Sequence, residues 1–281
     1  MIKIIGCNNH LGVGEKGLTH NINKIQEVNP NLTIEFIEEV IKDEVSNPTF
    51  KNENSVYATN HKLAHACNDA IESGFVPLNV LGDHAASVGT CAASSNHAEN
   101  LGILWVDAHS DINTPHTTPS GNIHGMTNAI SLNLFENKLN NILFDGPKVK
   151  PENLAMIGLR DIDPGELDIL KEHNIEYYTY DMVEELGLDY ILQKLNQKFK
   201  NNDKLHLSID MDSMDPTIVS AVSVPVDKGF TPQQVIQIVD SLAQDNDIIS
   251  VDIVEYNPEY DKDNQSLTVL IDLIEHIKSR Y

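Results

Sequence analysis

This sequence predicts a three-layer α/β/α fold around a mostly parallel central sheet, and three observations carry the prediction. Short apolar runs alternate with longer segments of helical period, the pattern of β/α units. The hydrophobic content of 41% over 281 residues supplies a sizeable core. No repeat, low-complexity tract or Pro/Gly-rich linker divides the chain, so residues 1–281 read as one domain.

Taken in order, the apolar runs at 2–5, 32–37 and 76–81 are strands, and the segment 53–73 between the last two has helical period. A helix over 85–99 leads to a strand at 101–106. The stretch 111–122, rich in Thr, Pro, Ser and Asn, reads as a functional loop leaving that strand. A strand at 154–157 precedes a helix at 164–173 that starts on Pro164. A helix at 188–200 precedes a strand at 205–209. Thr231-Pro232 places a cap and a first-turn proline at the start of a helix over 231–244. A strand at 248–254 and a helix over 264–280 complete the order.

Charge narrows the partners. Lys and Arg number 19 against 42 Asp and Glu, a formal net charge of −23, which repels nucleic-acid phosphates and anionic membrane surfaces. The expected partner is a cationic or neutral small molecule, with no nucleic acid and no membrane. Cys7, Cys67 and Cys91 are odd in number and form no C-x-x-C pair, against a disulfide framework or a thiolate metal site and in keeping with a reducing cytoplasm. The N-terminus has no signal-peptide apolar region, and no uncharged apolar run approaches the roughly 20 residues of a membrane span.

The chemistry gathers at strand ends. Trp105-Val106 runs into Asp107-Ala108-His109-Ser110-Asp111, and the period-two spacing of Asp107, His109 and Asp111 points their side chains the same way. The run 205–209 ends in Asp210-Met211-Asp212, and 76–81 ends in Gly82-Asp83-His84. A parallel sheet brings such carboxyl ends to one edge, where open α/β folds place their sites. Asp107, Asp111, Asp210 and Asp212 packed together would repel by about 4 kcal/mol per pair at 4 Å, even at an effective dielectric of 20. Two divalent cations cancel those charges. Oxygen and imidazole donors without thiolate suit Mn²⁺ first, then Co²⁺, Fe²⁺, Ni²⁺ or Zn²⁺. A cation pair of this kind ionises water near neutral pH, so the predicted chemistry is metal-assisted hydrolysis.

These motifs resemble the arginase branch of the ureohydrolase family over about 76–258. The matching pieces are Gly82-Asp83-His84, Asp107 to Asp111, the loop from Ile112-Asn113-Thr114-Pro115 to Ser120-Gly121-Asn122-Ile123-His124-Gly125-Met126, Gly158-Leu159-Arg160-Asp161-Ile162-Asp163-Pro164-Gly165-Glu166, Ser208 to Pro216, and Glu255-Tyr256-Asn257-Pro258. The resemblance implies that His84, Asp107, Asp111 and Asp210 hold one manganese ion and Asp107, His109, Asp210 and Asp212 the other. It further implies that a bridging hydroxide attacks the guanidinium carbon, that Asp111 passes the proton toward the leaving amine, that His124 shuttles protons, and that Glu255 is the guanidinium counter-charge. Asn113 and Ser120 match positions that read the α-carboxylate of L-arginine, and Asp163 the position that reads its α-ammonium. The implied products are L-ornithine and urea, and the implied assembly is a homotrimer or homohexamer. Asp83 and Asp215 read as supports of their turns rather than ligands.

Two other readings stand beside this one: an agmatinase or another guanidino or amidino hydrolase, and a metal-binding pseudoenzyme with a regulatory role. Departures from the family pattern keep them in view. Leu81 and Ala85 flank the Gly82-Asp83-His84 motif where Gly and Ser are usual. The stretch 219–225 replaces an Ala-Pro-Gly-Thr-Gly-Thr-Pro type of loop, so that Val224 lacks the usual threonine hydroxyl.

Overall fold

The computed structural model describes residues 1–42 and 47–281. Its strands are β1 (Ile2–Cys7), β2 (Ile34–Ile37), β3 (Val76–Leu81), β4 (Leu101–Val106), β5 (Leu154–Leu159), β6 (Glu176–Thr179), β7 (Lys204–Asp210) and β8 (Ile248–Val254). They form one sheet in the order β2-β1-β3-β8-β7-β4-β5-β6, and every pairing is parallel. The helices are α1 (Asn21–Val28), α2 (Glu53–Glu72), α3 (Ser87–Asn96), α4 (Thr127–Ser131), α5 (Pro164–Glu172), α6 (Tyr180–Leu186), α7 (Leu188–Phe199), α8 (Pro232–Asp245) and α9 (Gln265–Ser279).

Helices α1 and α6 to α9 pack on one face of the sheet and α2 to α5 on the other, giving the predicted layers. β4 shows why its sequence is apolar throughout. Leu104 and Val106 enter the first core, and Ile103 and Trp105 enter the second. The expected cap of α8 is present as a reciprocal pair: the Gln234 amide donates to Thr231 Oγ1 at 3.2 Å and the Thr231 amide to Gln234 Oε1 at 2.9 Å.

The expected boundaries shift where local turns intervene. His84 to Ala86 form a 3-10 turn, so α3 starts at Ser87, and it ends at Asn96 rather than 99. Leu32 lies in a turn closed by its amide on the Asn29 carbonyl, which delays β2 to Ile34. The sequence reading missed β6, α1, α4 and α6. β6 is a half-buried edge strand, Glu-Tyr-Tyr-Thr, without an apolar run, and the three helices have eight, five and seven residues.

Register fixes the site. Val106 pairs with Ile157 on β5 and Ile209 on β7, and Asp210 pairs with Val254 on β8. The carboxyl ends of four central strands therefore finish nearly flush, and the chain beyond each of them opens on the same edge of the sheet.

Candidate metal centre and substrate pocket

Each strand end delivers its polar side chains through a sharp turn. Gly82 admits the Asn9 backbone so closely that a Cβ would stand 1.7 Å from its carbonyl oxygen. Asn9 clamps this turn, accepting from the Gly82 amide at 2.9 Å and donating to the Asp83 carbonyl at 2.8 Å. The Asp83 carboxylate accepts from the amides of Gly12, Val13 and Ala85, which is the supporting role expected of it. Buried and beside Glu255, it is pushed up to about 7. His84 then projects inward, stacked on Trp105 with ring centres 3.9 Å apart.

Residues 107–111 do not continue β4 as a strand, so the period-two argument for their common direction does not hold. They form an irregular turn in which Asp111 takes φ 47, the left-handed region. The turn still brings the side chains together. His84 Nδ1 lies 3.0 Å from Asp107 Oδ2, 3.1 Å from Asp111 Oδ2 and 3.0 Å from Asp210 Oδ2. On the other side of Asp107, His109 Nδ1 lies 3.0 Å from Asp212 Oδ2 and 3.5 Å from Asp107 Oδ1. Asp210 ends β7, and its Oδ1 accepts from the Asp212 amide at 2.7 Å, leaving Oδ2 toward His84.

The donor set fits divalent cations. Among the described residues, His84, Asp107 and Asp111 form one group able to hold an ion, and Asp107, His109 and Asp212 form a second. His84 Nε2 is 2.8 Å from Ser208 Oγ, so this ring nitrogen has a partner, whereas buried His84 Nδ1 and Asp107 Oδ2 have none aligned as a hydrogen bond. A nitrogen and an oxygen left over at the same point are what a cation satisfies. Burial and the neighbouring Asp107 charge push Asp212 up to about 6, a repulsion that a cation would relieve.

Above this cluster opens a cleft of about 390 Å³. Asp111, Asp210 and Asp212 form its floor, and Asn113, Ser120, His124, Asp163 and Glu255 stand in its walls. His124 Nδ1 is 3.3 Å from Glu255 Oε1, and that oxygen also accepts from the His84 amide at 2.9 Å. Burial disfavours the His124 imidazolium, yet Glu255, backed by Asp111 and Asp83, outweighs burial and pushes His124 up to about 8. Glu255 adopts φ 66, a costly conformation for a long side chain, and its amide bonds the Gly82 carbonyl at 2.7 Å. Asn113 Nδ2 donates to Asp163 Oδ2 at 2.9 Å. Ser120 is exposed on the rim, where its hydroxyl accepts from the Asn122 amide.

The metal, catalytic and substrate residues expected from the sequence thus meet in one place, whereas Asp215 lies outside it and accepts from Thr217 in its own turn. Sequence reasoning missed their supports. Trp105 and Ser208 orient His84. Glu166 joins the 111–122 loop to α5 by accepting from the amides of Ile112 at 3.1 Å and Asp163 at 3.0 Å. Burial pushes Glu166 up to about 7, against those same bonds. Its signal was present as a capping box, Asp163 to Glu166. Val13 and Glu15 also line the cleft, and no motif marked them.

Comparison with known proteins agrees with this geometry. The sequence model of the Arginase family matches residues 14–278. An arginase of Bacillus subtilis (strain 168) is 34% identical over 288 residues, covering 98% of this chain and 97% of that protein. The native structure of Bacillus caldovelox arginase at pH 5.6 superimposes with a TM-score of 0.89 at 33% identity, over 97% of this chain and 96% of that one. The Entamoeba histolytica arginase in complex with L-ornithine does so with a TM-score of 0.88 at 27% identity, over 96% and 95%.

Proposed function

The chain belongs to the arginase family, and from that premise we propose how its own residues carry out the reaction, the hydrolysis of L-arginine to L-ornithine and urea. The observation that carries the reading is the convergence of His84, Asp107, Asp111 and Asp210, and of His109 and Asp212, beneath a cleft whose wall pairs His124 with Glu255. Two Mn²⁺ ions per chain suit this set: His84, Asp107, Asp111 and Asp210 would hold one, and Asp107, His109, Asp210 and Asp212 the other. When bound, the ions supply the positive charge that ionises water near neutral pH and so provide the nucleophile.

The remaining work falls to the protein. Glu255, held by the His84 amide, offers the guanidinium its counter-charge. Asp111 takes a proton from the attacking water and passes it toward the leaving nitrogen. His124, kept protonated by Glu255, shuttles protons between that nitrogen and solvent. At the rim Asp163 binds the α-ammonium, and Asn113 and Ser120 bind the α-carboxylate, so both charged groups of the amino-acid end are read opposite the guanidinium end at Glu255.

Residues 1–281 act in this reading as one domain, because β4 and β7, far apart in sequence, are paired neighbours that bear the shared ligands. Among the described residues no helix is long and apolar enough to cross a membrane. The buried, unpaired Cys7, Cys67 and Cys91 suit the reducing cytoplasm we assign to the protein. A homotrimer or homohexamer completes the reading. The test is to strip the protein of metal, reload it with Mn²⁺ and measure urea from L-arginine. Metal-dependent release supports the reading, and no release from protein carrying two ions overturns it.

A further inference from the structure

We infer that Arg160 is a positioning residue for one half of the metal centre, holding the His109–Asp212 group in place without supporting the His84–Asp111 group. The inference rests on the two-ion reading above.

Arg160 follows β5 and reaches across the ends of the neighbouring strands. Its Nη2 donates to the Asp212 carbonyl at 2.7 Å and to the Val226 carbonyl at 3.3 Å. Its Nη1 donates to the carbonyls of Ser213 at 3.1 Å and Gly158 at 3.0 Å. The guanidinium also lies over the Tyr180 ring, 5.8 Å from its centre. Gly158 presents its carbonyl there because it sits at φ 100, where the β5–β6 register shifts, and a Cβ would stand 2.7 Å from the Phe230 ring.

The backbone of the same residue grips the other partner turn. The amides of Arg160 and Asp161 both donate to the Ala108 carbonyl, at 2.8 and 3.1 Å. Ala108 lies between Asp107 and His109, and its own amide donates to Asp212 Oδ1 at 3.2 Å. One residue thus ties the turn that carries His109 to the turn that carries Asp212. Through Val226 it also anchors the loop that brings Ser223 and Val224 to the cleft.

Among the described residues, no hydrogen bond runs from Arg160 to His84 or Asp111, the two ligands peculiar to the other group. His84 is set by Trp105 stacking and Ser208, and Asp111 by the Asn128 amide on its carbonyl at 2.8 Å. The arrangement needs the planar fork of arginine, since a lysine ammonium is a point donor that cannot span carbonyls on several sides.

The experiment titrates Mn²⁺ into metal-free wild-type protein, Arg160→Met and Arg160→Lys, reading the number and affinity of sites by calorimetry, with thermal unfolding of the metal-free proteins alongside. Partners of this kind typically change metal affinity about 10- to 100-fold when removed. In Arg160→Met one ion should keep wild-type affinity while the other weakens by that factor, and Arg160→Lys should recover only part of the loss. Ser208→Ala, which removes the hydroxyl partner of His84 Nε2, should weaken the other ion, so that combining it with Arg160→Met weakens both. Two ions of unchanged affinity in both Arg160 variants, or equal weakening of the pair, overturns the inference and leaves the two-ion reading intact. Fewer than two ions in the wild-type protein overturns both.

Discussion

The floor of the cleft and its rim are held by different means. His84, Asp107, Asp210 and Asp212 lie within three residues of β3, β4 or β7, nearly or wholly buried, and the parallel register of the sheet sets their spacing. Asn113, Ser120, Asp163 and Val224 stand on loops, and side-chain bonds such as Asn113 to Asp163 and Glu166 to the Ile112 amide set theirs. In the proposed function the sheet holds the part that would have to be rigid to position cations, and the loops the part that would distinguish one guanidino compound from another. Asp111 and Glu255 join the two, and both take positive φ, Glu255 immediately after β8 and Asp111 at the end of the turn that follows β4.

That division orders what substitutions should do. The largest effect belongs to the floor: Asp210→Asn removes a carboxylate shared by both proposed ions and should abolish urea release while metal analysis finds fewer than two ions per chain. Activity with full metal content would separate Asp210 from the centre.

His124 stands next, in the wall between floor and rim. His124→Asn should lower kcat by about 10²- to 10⁴-fold, the usual worth of a positioned acid or base, and leave the metal content unchanged. Because Glu255 raises its pKa to about 8, His124 stays protonated through neutral pH and loses its proton only on the alkaline side. A decline of wild-type kcat at alkaline pH should therefore be absent from the residual activity of the variant. A variant profile that keeps the same decline would assign it to another group.

The rim comes third. Asp163→Ala should reduce kcat/KM for arginine by about 10²-fold, in line with loss of a charged pair to a bound substrate, while both ions stay bound. Since Asp163 also caps α5 with Glu166, Asp163→Asn keeps one oxygen for the cap while removing the charge and the acceptor that Asn113 uses. Metal loss in Asp163→Asn would blur the line between rim and floor. The smallest effect is Val224→Thr, which adds a hydroxyl at the cleft wall. It should change arginine turnover by less than about tenfold, as one neutral hydrogen bond warrants, with no change in metal affinity.

The same division explains what the sequence revealed. Strand ends were legible because apolar runs stop abruptly at Asp or His, and a parallel sheet leaves such ends only one edge to share. Period-two reasoning still failed for 107–111, since the chain turns at once after Val106, yet the side chains converge because register rather than pleat aligns them. The rim residues were recognised through motif resemblance alone, and their mutual bonds run between segments about 50 residues apart that no periodicity connects. Arg160 was quoted within a motif but its reach to four carbonyls depends on how β5 and β7 turns face each other. β6, with its polar edge pattern, left no signal in the sequence.

The central claim is that this cleft reads both ends of arginine, and the ratio of kcat/KM for L-arginine to that for agmatine in the Mn²⁺-loaded protein tests it most directly. Groups built to pair with a substrate's polar end can discriminate against an analogue lacking it by up to about 10⁴-fold. The account predicts a ratio of at least about 10² in favour of arginine, falling toward one when Asn113→Ala and Ser120→Ala together remove the carboxylate contacts, whereas Asp163→Ala, whose ammonium partner agmatine keeps, lowers kcat/KM for both substrates. A wild-type ratio near or below one would contradict it, even with two ions bound and urea released.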